Sequence, residues 1–310
     1  MTNTDNNAGV SPINGASVKG SQRSKLHVLA VGAGGKNAGL VIPELAKRAV
    51  HVRGLIQDKK QEQAVLRAGA AEVMVGDLTD RASVDAALKG MDAVFYIAPV
   101  GLKNEAEVGR NMIDAAKRAG VRRVVFSSII DPILSALETH AAKAPVEEAI
   151  LASGLEYTLL QPGMFFQGIA DGWDDAAAKG TYGEPWAMKG RFSRVDYRDV
   201  AEVAAIALTE DRLLHGTFQL CAAGDVDRRD IAALMSDVLG KTVKAVDLDS
   251  SKMAQAAGPE AGAQISRMFD YYGRHGVLGS ALALRAILGR EPRTLRDYLL
   301  ELSTRTHAVA

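Results

Sequence analysis

Residues 26–40 of the chain read LHVLAVGAGGKNAGL, and this stretch decides the fold that the sequence predicts. Its first half is a short apolar run, typical of a buried strand, and its second half resumes apolar residues at helical spacing. Glycines occupy the junction, where a strand that turns tightly into a helix leaves little room for side chains. The stretch therefore predicts a first strand, a tight turn and a first helix.

The turn has the spacing of a dinucleotide-binding loop. Gly32, Gly35 and Ala38 fit the pattern G-x-x-G-x-x-G/A, and Gly34 and Gly39 leave further space nearby. Taken alone, such a pattern also occurs in ordinary turns. Here a strand precedes it, a helix follows it, and an acidic residue stands about twenty residues further on at the end of a second strand, which favours a dinucleotide site.

Apolar runs and helical stretches alternate along the first half of the chain. Six strands are expected near residues 26–31, 50–56, 71–75, 92–97, 123–128 and 156–160, the last one broken by Pro162 and Gly163. Strands that alternate with helices pair in parallel through right-handed crossovers. We therefore expect an α/β protein whose residues 25–165 form a doubly wound parallel sheet of the Rossmann type that binds NAD(P).

The remaining residues, 166–310, are expected to form a smaller C-terminal α+β lobe for the substrate, with some segments returning to the core. Residues 168–194 are rich in Gly, Ala and aromatic residues, which suggests an extended insertion across one end of the sheet. Asp199 is expected to cap a helix that begins at Val200. Residues 216–221 are expected to form one more strand.

Composition argues against several classes of function. Lys plus Arg and Asp plus Glu both number 37, so the net charge is zero and nothing favours a nucleic-acid or anionic-lipid surface. The single cysteine, Cys221, excludes an internal disulfide and a cysteine-only metal site, and the six histidines show no metal-ligand spacing. We expect no nucleic-acid partner and no metal.

The N-terminal sequence carries no targeting pattern. Residues 1–24 are rich in Asn, Ser, Gly and Thr and are expected to form a disordered tail. Neither a secretory nor a transit pattern is present, and no apolar stretch is long enough to span a bilayer. A cytoplasmic protein without a membrane partner is therefore expected.

The tip of the second strand bears on the choice of cofactor. It reads Gln57, Asp58, Lys59 and Lys60. An acidic residue here would bind the ribose hydroxyls and repel a 2′-phosphate, so Asp58 favours NAD. The two lysines favour NADP, unless they are only the solvated start of a helix. We expect NAD(P)H, with a slight preference for NADPH.

Several motifs together resemble one family. VGAGGKNAG follows the first strand and GDLTD follows the third, and NMIDAAKRAGVRRVVFSS, HAAKAPVEEAILASGLEYTLLQPGMFFQ and VDYRDVAEVAA come later. From residue 26 to the C-terminal helix, the chain resembles the NmrA-like branch of the atypical short-chain dehydrogenase/reductases.

The resemblance implies where a cofactor would lie. The pyrophosphate would be wrapped by residues 32–37, which include Gly32, Gly34, Gly35, Lys36 and Asn37. Gln57 would lie beside the adenosine ribose, and Asp77 and Leu78 would flank the adenine. At the other end of the cofactor, Ala98 and Pro99 would lie under the nicotinamide ribose, and Gly163 and Phe165 would border the nicotinamide. Asp77 could instead cap the next helix, and Pro99 could simply end a strand. Family members that prefer NADP usually carry arginine where this chain has Gln57.

Catalysis is the open point. Short-chain reductases at large use Tyr-x-x-x-Lys, in which a lysine and the cofactor lower the pKa of the phenol. This chain keeps Lys143 but has Thr139 in place of the tyrosine, and a threonine hydroxyl is too weak an acid for that role. His140 could titrate near neutrality, although a lone histidine is more often a packing residue. Related reductases without the tyrosine keep the lysine, so Lys143 would hold the nicotinamide ribose or move a proton, unless it is an idle, exposed lysine.

The substrate is suggested only by a set of apolar residues near the carboxyl ends of the strands. These are Phe165, Phe166, Trp173, Trp186, Met268, Phe269 and Tyr272. They could line a pocket for an aromatic or quinone-like compound, or form the core of the lobe. We expect an NAD(P)H-dependent reductase that transfers hydride to a small apolar carbonyl, enone or quinone. The missing tyrosine leaves a second hypothesis, a non-catalytic NAD(P) redox sensor that acts through protein partners.

Overall fold

The computed structural model describes residues 25–99, 101–102 and 104–309, with side chains to residue 305. The expected N-terminal tail lies outside the described residues. The strands are β1 (His27–Val31), β2 (His51–Ile56), β3 (Glu72–Val75), β4 (Ala93–Tyr96), β5 (Arg123–Ser127), β6 (Glu156–Pro162), β7 (Met164–Phe165), β8 (Thr181–Glu184), β9 (Phe192–Val195), β10 (Gly216–Leu220), β11 (Asp225–Val226) and β12 (Lys244–Asp247). The helices are α1 (Val41–Ala46), α2 (Glu62–Arg67), α3 (Arg81–Leu88), α4 (Glu105–Arg118), α5 (Glu138–Ala141), α6 (Ala144–Leu151), α7 (Phe166–Ile169), α8 (Trp173–Lys179), α9 (Tyr197–Thr209), α10 (Arg228–Leu239), α11 (Ser250–Ala256), α12 (Pro259–His275), α13 (Leu282–Leu288) and α14 (Leu295–Val309).

Seven parallel strands form the main sheet, in the order β10-β6-β5-β4-β1-β2-β3. The order reverses at β1, which pairs with β2 on one side and with β4 on the other. In open α/β sheets, ligands bind beyond the carboxyl ends of the strands at such a reversal. The expected doubly wound α/β fold is confirmed, and the glycine turn follows β1 directly.

Both faces of the sheet are covered by helices. Along β1, Val28 and Ala30 pack into one buried cluster, and Leu29 and Val31 pack into the other, because successive side chains of a strand point to opposite faces. The first cluster includes residues of α1, α9 and α13, and the second includes residues of α3, α4 and α6. The sheet is therefore the middle of three layers.

A smaller lobe follows the sheet. β7, β9 and β11 form one small sheet, and β8 pairs with β12 in another. Trp173, Tyr182, Met235 and Leu299 are buried together in the lobe core. The stretch 168–194, expected to be an extended insertion, contains α8 and β8 and most of β9, and its Trp173 and Tyr182 are part of this core. β10 returns to the main sheet and pairs in parallel with β6.

Two expected boundaries were wrong. α9 begins at Tyr197, and Asp196 caps it by accepting the Arg198 backbone N–H at 2.9 Å. Asp199 is fully buried and binds the Arg290 side chain and the backbone N–H of Arg293. The Asp199 carboxylate is therefore occupied by these arginines, and the helix begins three residues earlier than expected, at Tyr197.

The sixth strand also continues beyond its expected end. β6 includes Pro162, which pairs with Leu220 of β10. A proline removes one backbone N–H from a sheet, and at the last position of a strand this loss is small. Its carbonyl oxygen remains useful and accepts the Ile130 N–H at 3.0 Å.

Candidate active site

The turn after β1 is shaped by its glycines. Gly32 has a φ of +72°, a left-handed conformation that side chains disfavour, and its carbonyl oxygen accepts the Gly35 N–H at 2.8 Å. Gly39 passes so close to Ala33 that a Cβ on Gly39 would lie 2.9 Å from the Ala33 oxygen. Ala38 is buried against the core. The turn is therefore tight, with a hydrogen bond between its own backbone groups and with Ala38 packed against the core.

A cavity of about 260 Å³ lies on one side of this turn, at the carboxyl ends of β1, β2 and β3 and beyond β4. Gln57, Asp77 and Leu78, which were expected around the adenosine, line it, and so do Gly32, expected at the pyrophosphate, and Pro99, expected under the nicotinamide ribose. They are far apart in the sequence and meet because parallel strands end at the same edge of the sheet. We call this space the adenosine cavity.

The charged residues beside Gln57 are held in a short helical turn. The Asp58 carboxylate accepts the Lys60 backbone N–H at 2.9 Å and so caps the turn formed by residues 59–61. Lys59 and Lys60 are exposed at the start of this turn. The carboxylate that favoured NAD is therefore engaged in a structural hydrogen bond, and the neutral Gln57 is the residue of this group that lines the cavity.

Asp77 does not cap the next helix. Its carboxylate accepts the backbone N–H and the hydroxyl of Thr79, both at 2.8 Å, and these hydrogen bonds lower the pKa of Asp77. α3 is capped instead by Asp80, which accepts the Ala82 N–H at 3.0 Å. Asp77 thus presents an ionised carboxylate at the wall of the adenosine cavity.

A second cavity of about 550 Å³ lies on the other side of the turn, between the turn and the lobe. Lys36, Asn37 and Phe165 line it, as does Trp186. Lys36 forms an exposed ion pair of 2.7 Å with Asp171 across its rim. The Asn37 Oδ1 atom is buried without a hydrogen-bond partner. We call this space the lobe cavity.

The structure divides the apolar residues that were expected to cover the site. Phe165 and Trp186 line the lobe cavity, whereas Phe166 and Trp173 are buried in the lobe core. The rest belong to a small aromatic cluster, in which Met268 and Tyr272 pack near Phe192, and the ring of Phe269 contacts that of Trp186. Both expected roles, pocket lining and core packing, are therefore present.

Sequence reasoning missed an ion pair in the wall of the lobe cavity. Arg194 Nη2 donates to Glu184 Oε1 at 2.6 Å, and the hydroxyl of Tyr182 donates to the same oxygen at 3.0 Å. All three side chains are buried. The alternation of β8 puts Tyr182 and Glu184 on one face, but no local pattern shows that an arginine on β9 lies opposite.

Lys143 is neither exposed nor idle. Its Nζ is ion-paired with Glu105 Oε1, and the two side chains are only 12% and 13% exposed. The pair connects the residue that precedes α6 to the first residue of α4. Lys143 lines neither cavity.

Thr139 and His140 also lie outside both cavities. The Thr139 hydroxyl donates to the sulfur of Met268 at 3.6 Å. His140 is fully buried: Nδ1 lies 3.2 Å from the carbonyl oxygen of Asp131 and Nε2 lies 2.9 Å from the Tyr272 hydroxyl. This fits a neutral ring that donates from Nδ1 and accepts at Nε2. Burial lowers the pKa of the His140 imidazole.

The other expected cofactor residues have packing or turn contacts. Ala98 is buried with the core on one face of the sheet. Gly163 lies against β9, where a Cβ would be 2.5 Å from the Ser193 oxygen. The Gly34 carbonyl oxygen accepts a hydrogen bond from Gln61 Nε2 at 3.3 Å. These three residues line neither cavity.

Two other kinds of site were sought over the part of the chain that the structure describes. No helix there combines the length and the apolar character needed to cross a membrane. Nor do three or more His, Cys, Asp or Glu side chains come together there as ligands for a metal ion.

Comparison with known proteins agrees with this geometry. The profile of the NmrA-like family matches residues 24–299. An NAD(P)H azoreductase of Xenophilus azovorans is 27% identical over 230 residues, which cover 73% of this chain and 79% of that protein. The crystal structure of an NADPH-dependent quinone oxidoreductase from Escherichia coli, complexed with NADPH, has a TM-score of 0.77 and 23% identity and covers 89% of this chain and 99% of that one. The Citrobacter sp. triphenylmethane reductase complexed with NADP(H) has a TM-score of 0.76 and 21% identity, with the same coverage of 89% and 99%. Because the profile spans nearly all of the described fold, the chain belongs to the NmrA-like family.

Proposed function

We propose that this protein is an NAD(P)H-dependent reductase that transfers a hydride to a small apolar carbonyl, enone or quinone. The observation that carries the proposal is the glycine turn between two cavities, with Gly32 in the wall of one and Lys36 and Asn37 in the wall of the other. A dinucleotide whose pyrophosphate lies at the turn would extend into both. The lobe cavity would then hold the substrate beside the nicotinamide.

The residues of the turn fit a pyrophosphate. The left-handed Gly32 and the close contact of Gly35 with it leave the backbone without side chains where phosphate oxygens would approach. The buried, unpartnered Oδ1 of Asn37 and the ammonium group of Lys36 add polar groups on the lobe side. The Lys36–Asp171 pair is exposed, so exchanging Asp171 for a phosphate would cost little.

The adenosine cavity favours NADPH over NADH. Gln57 is neutral and does not repel a 2′-phosphate, and the carboxylate of Asp58 is engaged by the backbone of Lys60. Lys59 and Lys60 are exposed nearby and add positive charge. The 2′-phosphate of NADPH is attracted to these lysines, whereas NAD-specific sites place a free carboxylate beside the adenosine ribose.

None of the described residues that line the lobe cavity is a free acid that could complete a reduction. When bound, NADPH supplies the hydride. The Tyr182 hydroxyl donates to Glu184, and burial raises the pKa of this phenol above its ordinary value of 10.0. We infer that water or a group of the substrate supplies the proton. A reduced quinone is a much weaker base than an alkoxide, so a quinone depends least on a protein acid.

Lys143 then acts by positioning. Its ion pair with Glu105 fixes the start of α4, which follows the loop that contains Ala98 and Pro99. Proton transfer from Lys143 would first have to break this largely enclosed pair. Its expected role at the nicotinamide ribose is therefore exerted through Glu105 and α4.

The relatives support the same class of reaction. Their names describe an NAD(P)H azoreductase, an NADPH-dependent quinone oxidoreductase and a triphenylmethane reductase. Each name describes a reductase of an aromatic or conjugated compound. The aromatic residues Phe165 and Trp186 in the lobe cavity fit a substrate of this kind.

A panel assay tests the proposal. Consumption of NADPH and of NADH is followed by the absorbance of the reduced nicotinamide, with quinones, enones and aromatic aldehydes at matched concentrations. We expect NADPH to be consumed with quinones faster than with aldehydes, and faster than NADH with the same quinone. Binding of NADPH without consumption across the whole panel would contradict the proposal.

A further inference from the structure

The wall of the lobe cavity contains a charged pair that is removed from water. The side chains of Glu184 and Arg194 are only 7% and 4% exposed, and their ion pair is 2.6 Å long. β8 contributes the glutamate and β9 the arginine, so the pair is held by two strands of different small sheets. Tyr182 donates a further hydrogen bond to Glu184 Oε1.

This pair is only partly satisfied. Glu184 Oε2 and Arg194 Nε have no hydrogen-bond partner, and neither has the indole Nε1 of Trp186 in the same wall. Each of these atoms is shielded from solvent. Together with Asn37 Oδ1, four of the seven unpartnered polar atoms in the described part of the chain belong to residues that line this cavity.

Such an arrangement is costly unless a ligand uses it. A buried ion pair of this kind often stabilises a protein no more than apolar residues of similar volume do. A second carboxylate oxygen without a donor adds the cost of its lost hydration. Protein interiors normally avoid such groups, and those that persist often belong to functional sites.

The charges of the cavity indicate the polarity of that ligand. Arg194 is already neutralised by Glu184, so it is not a free cation for a carboxylate or a sulfonate. Among the lining residues, the two bases are Lys36 and Arg194, and the three acids are Asp171, Asp175 and Glu184. An anionic substrate is therefore disfavoured, and a neutral hydrogen-bond donor is favoured.

We propose that Glu184 is a specificity residue, which selects substrates that carry a neutral hydroxyl or amino substituent in addition to the group that receives the hydride. The substituent donates to the Glu184 carboxylate from the cavity side. Arg194 and Tyr182 hold that carboxylate in place through their hydrogen bonds to Oε1. This inference rests on the proposed function, because it concerns the substrate of that reductase.

Three naphthoquinones of similar shape test the inference, with a methyl, a hydroxymethyl or a methoxymethyl group at the same ring position. The hydroxymethyl group alone can donate a hydrogen bond. A hydrogen bond to a charged group contributes about 1.5–3 kcal/mol, so kcat/KM should be roughly 10 to 100 times higher for the hydroxymethyl compound than for the methoxymethyl compound. A wild-type ratio within twofold of one would overturn the inference.

The variant Glu184→Met/Arg194→Met removes the whole pair and replaces it with apolar side chains of similar length, an exchange that folded proteins often tolerate. We expect the ratio of kcat/KM for the hydroxymethyl compound to that for the methoxymethyl compound to fall to within about twofold of one in this variant. Glu184→Gln, which keeps an acceptor without the charge, should retain an intermediate preference and serves alone if the double variant does not fold. A preference as large as that of the wild type, in the double variant or in Glu184→Gln, would overturn the inference.

A matched control and a second readout separate this inference from the proposed function. Glu138→Met/Arg267→Met removes a surface pair of the same residue types and should leave the preference unchanged. Binding of the three quinones to the complex with oxidised cofactor, measured by quenching of tryptophan fluorescence, reports the preference without turnover. Hydroxymethyl-selective binding with no reduction would contradict the proposed function alone, whereas unselective reduction would contradict the role of Glu184 alone.

Discussion

Lys143 Nζ and Glu105 Oε1 form an ion pair whose two side chains are almost enclosed by protein. The two residues lie 38 positions apart in the sequence and join α6 to α4. Lys143 therefore connects two helices that cover the sheet, and it lines neither of the two cavities. Two roles of Lys143 can therefore be tested separately: stabilising the fold around the site and donating a proton.

Replacing Lys143 should affect stability more than chemistry. Lys143→Met leaves Glu105 enclosed without a partner, which should lower the free energy of unfolding by roughly 3 kcal/mol. kcat of the folded enzyme should fall less than tenfold, because loss of a general acid typically costs about 10²–10⁴. Urea unfolding and steady-state kinetics check the two effects. A loss of 100-fold or more in kcat without a loss of stability would show that Lys143 supplies the proton.

The double variant Lys143→Met/Glu105→Leu is the matched control for this pair. It replaces both partners, so no unpaired charge is left behind, and it should recover most of the stability lost in Lys143→Met. The result is read as a double-mutant cycle with the two single variants. Additive losses of stability would show that the two residues do not interact.

The glycine turn can be tested with a pair of alanine substitutions. Gly32 and Gly154 have φ angles of +72° and +76°, so alanine should be strained to a similar extent at both, by about 1 kcal/mol. Only Gly32 lies in the turn that would hold a pyrophosphate. We expect Gly32→Ala to weaken NADPH binding at least tenfold, as measured by titration, and Gly154→Ala to leave it unchanged. Equal affinities would show that the turn does not bind the cofactor.

Gln57 is predicted to determine the choice of cofactor. Gln57→Arg should increase the preference for NADPH over NADH about tenfold, because a guanidinium binds a phosphate through two hydrogen bonds. Gln57→Asp should shift the preference toward NADH, because its carboxylate repels the 2′-phosphate. The ratio of kcat/KM for the two cofactors checks both. If neither substitution changes that ratio, Gln57 does not lie beside the adenosine ribose.

His140 should make the fold sensitive to mild acid. Burial lowers the pKa of the His140 imidazole below its ordinary value of 6.5, although hydrogen bonds to the backbone oppose this effect. Below pH 6.5 the unfolded chain therefore binds this proton more readily than the folded protein does. The free energy of unfolding should fall as the pH drops from 6.5 toward the folded-state pKa.

The variant His140→Gln isolates this contribution. It should be less stable than the wild type at pH 7, because it disturbs the contacts with Tyr272 and Asp131, and it should lose less stability between pH 7 and pH 5. His275→Gln, which changes an exposed histidine at the end of α12, should keep the pH dependence of the wild type. An unchanged slope in His140→Gln would refute the buried titration.

Local patterns in the sequence predicted the sheet and much of the adenosine cavity. Alternation of apolar runs with helical spacing located the strands, and the ends of parallel strands necessarily converge. That convergence is why Gln57, Asp77 and Pro99 meet in one cavity. Asp58 was harder to interpret, because its role as a cap depends on the conformation of the residues that follow it.

The lobe cavity could not be predicted in the same way. Glu184 and Arg194 lie on short strands of two different small sheets, and no periodic pattern shows that these strands face each other. Glu105, the partner of Lys143, could not be predicted either, because it lies on another helix and no local pattern connects the two residues. Asp199 was expected to cap α9, but it binds the distant Arg290 and Arg293, and Asp196 caps the helix.

Transfer of deuterium from the nicotinamide tests the central claim most directly. NADPH carrying deuterium on one or the other face of C4 is mixed with the protein and a naphthoquinone, and the NADP⁺ formed is analysed by mass spectrometry. We predict quinone-dependent oxidation in which the label is lost from one epimer and retained in the other, with a slower rate for the epimer that loses it. NADPH that binds tightly but is not oxidised by any acceptor would contradict the reductase and favour a redox-sensing regulator.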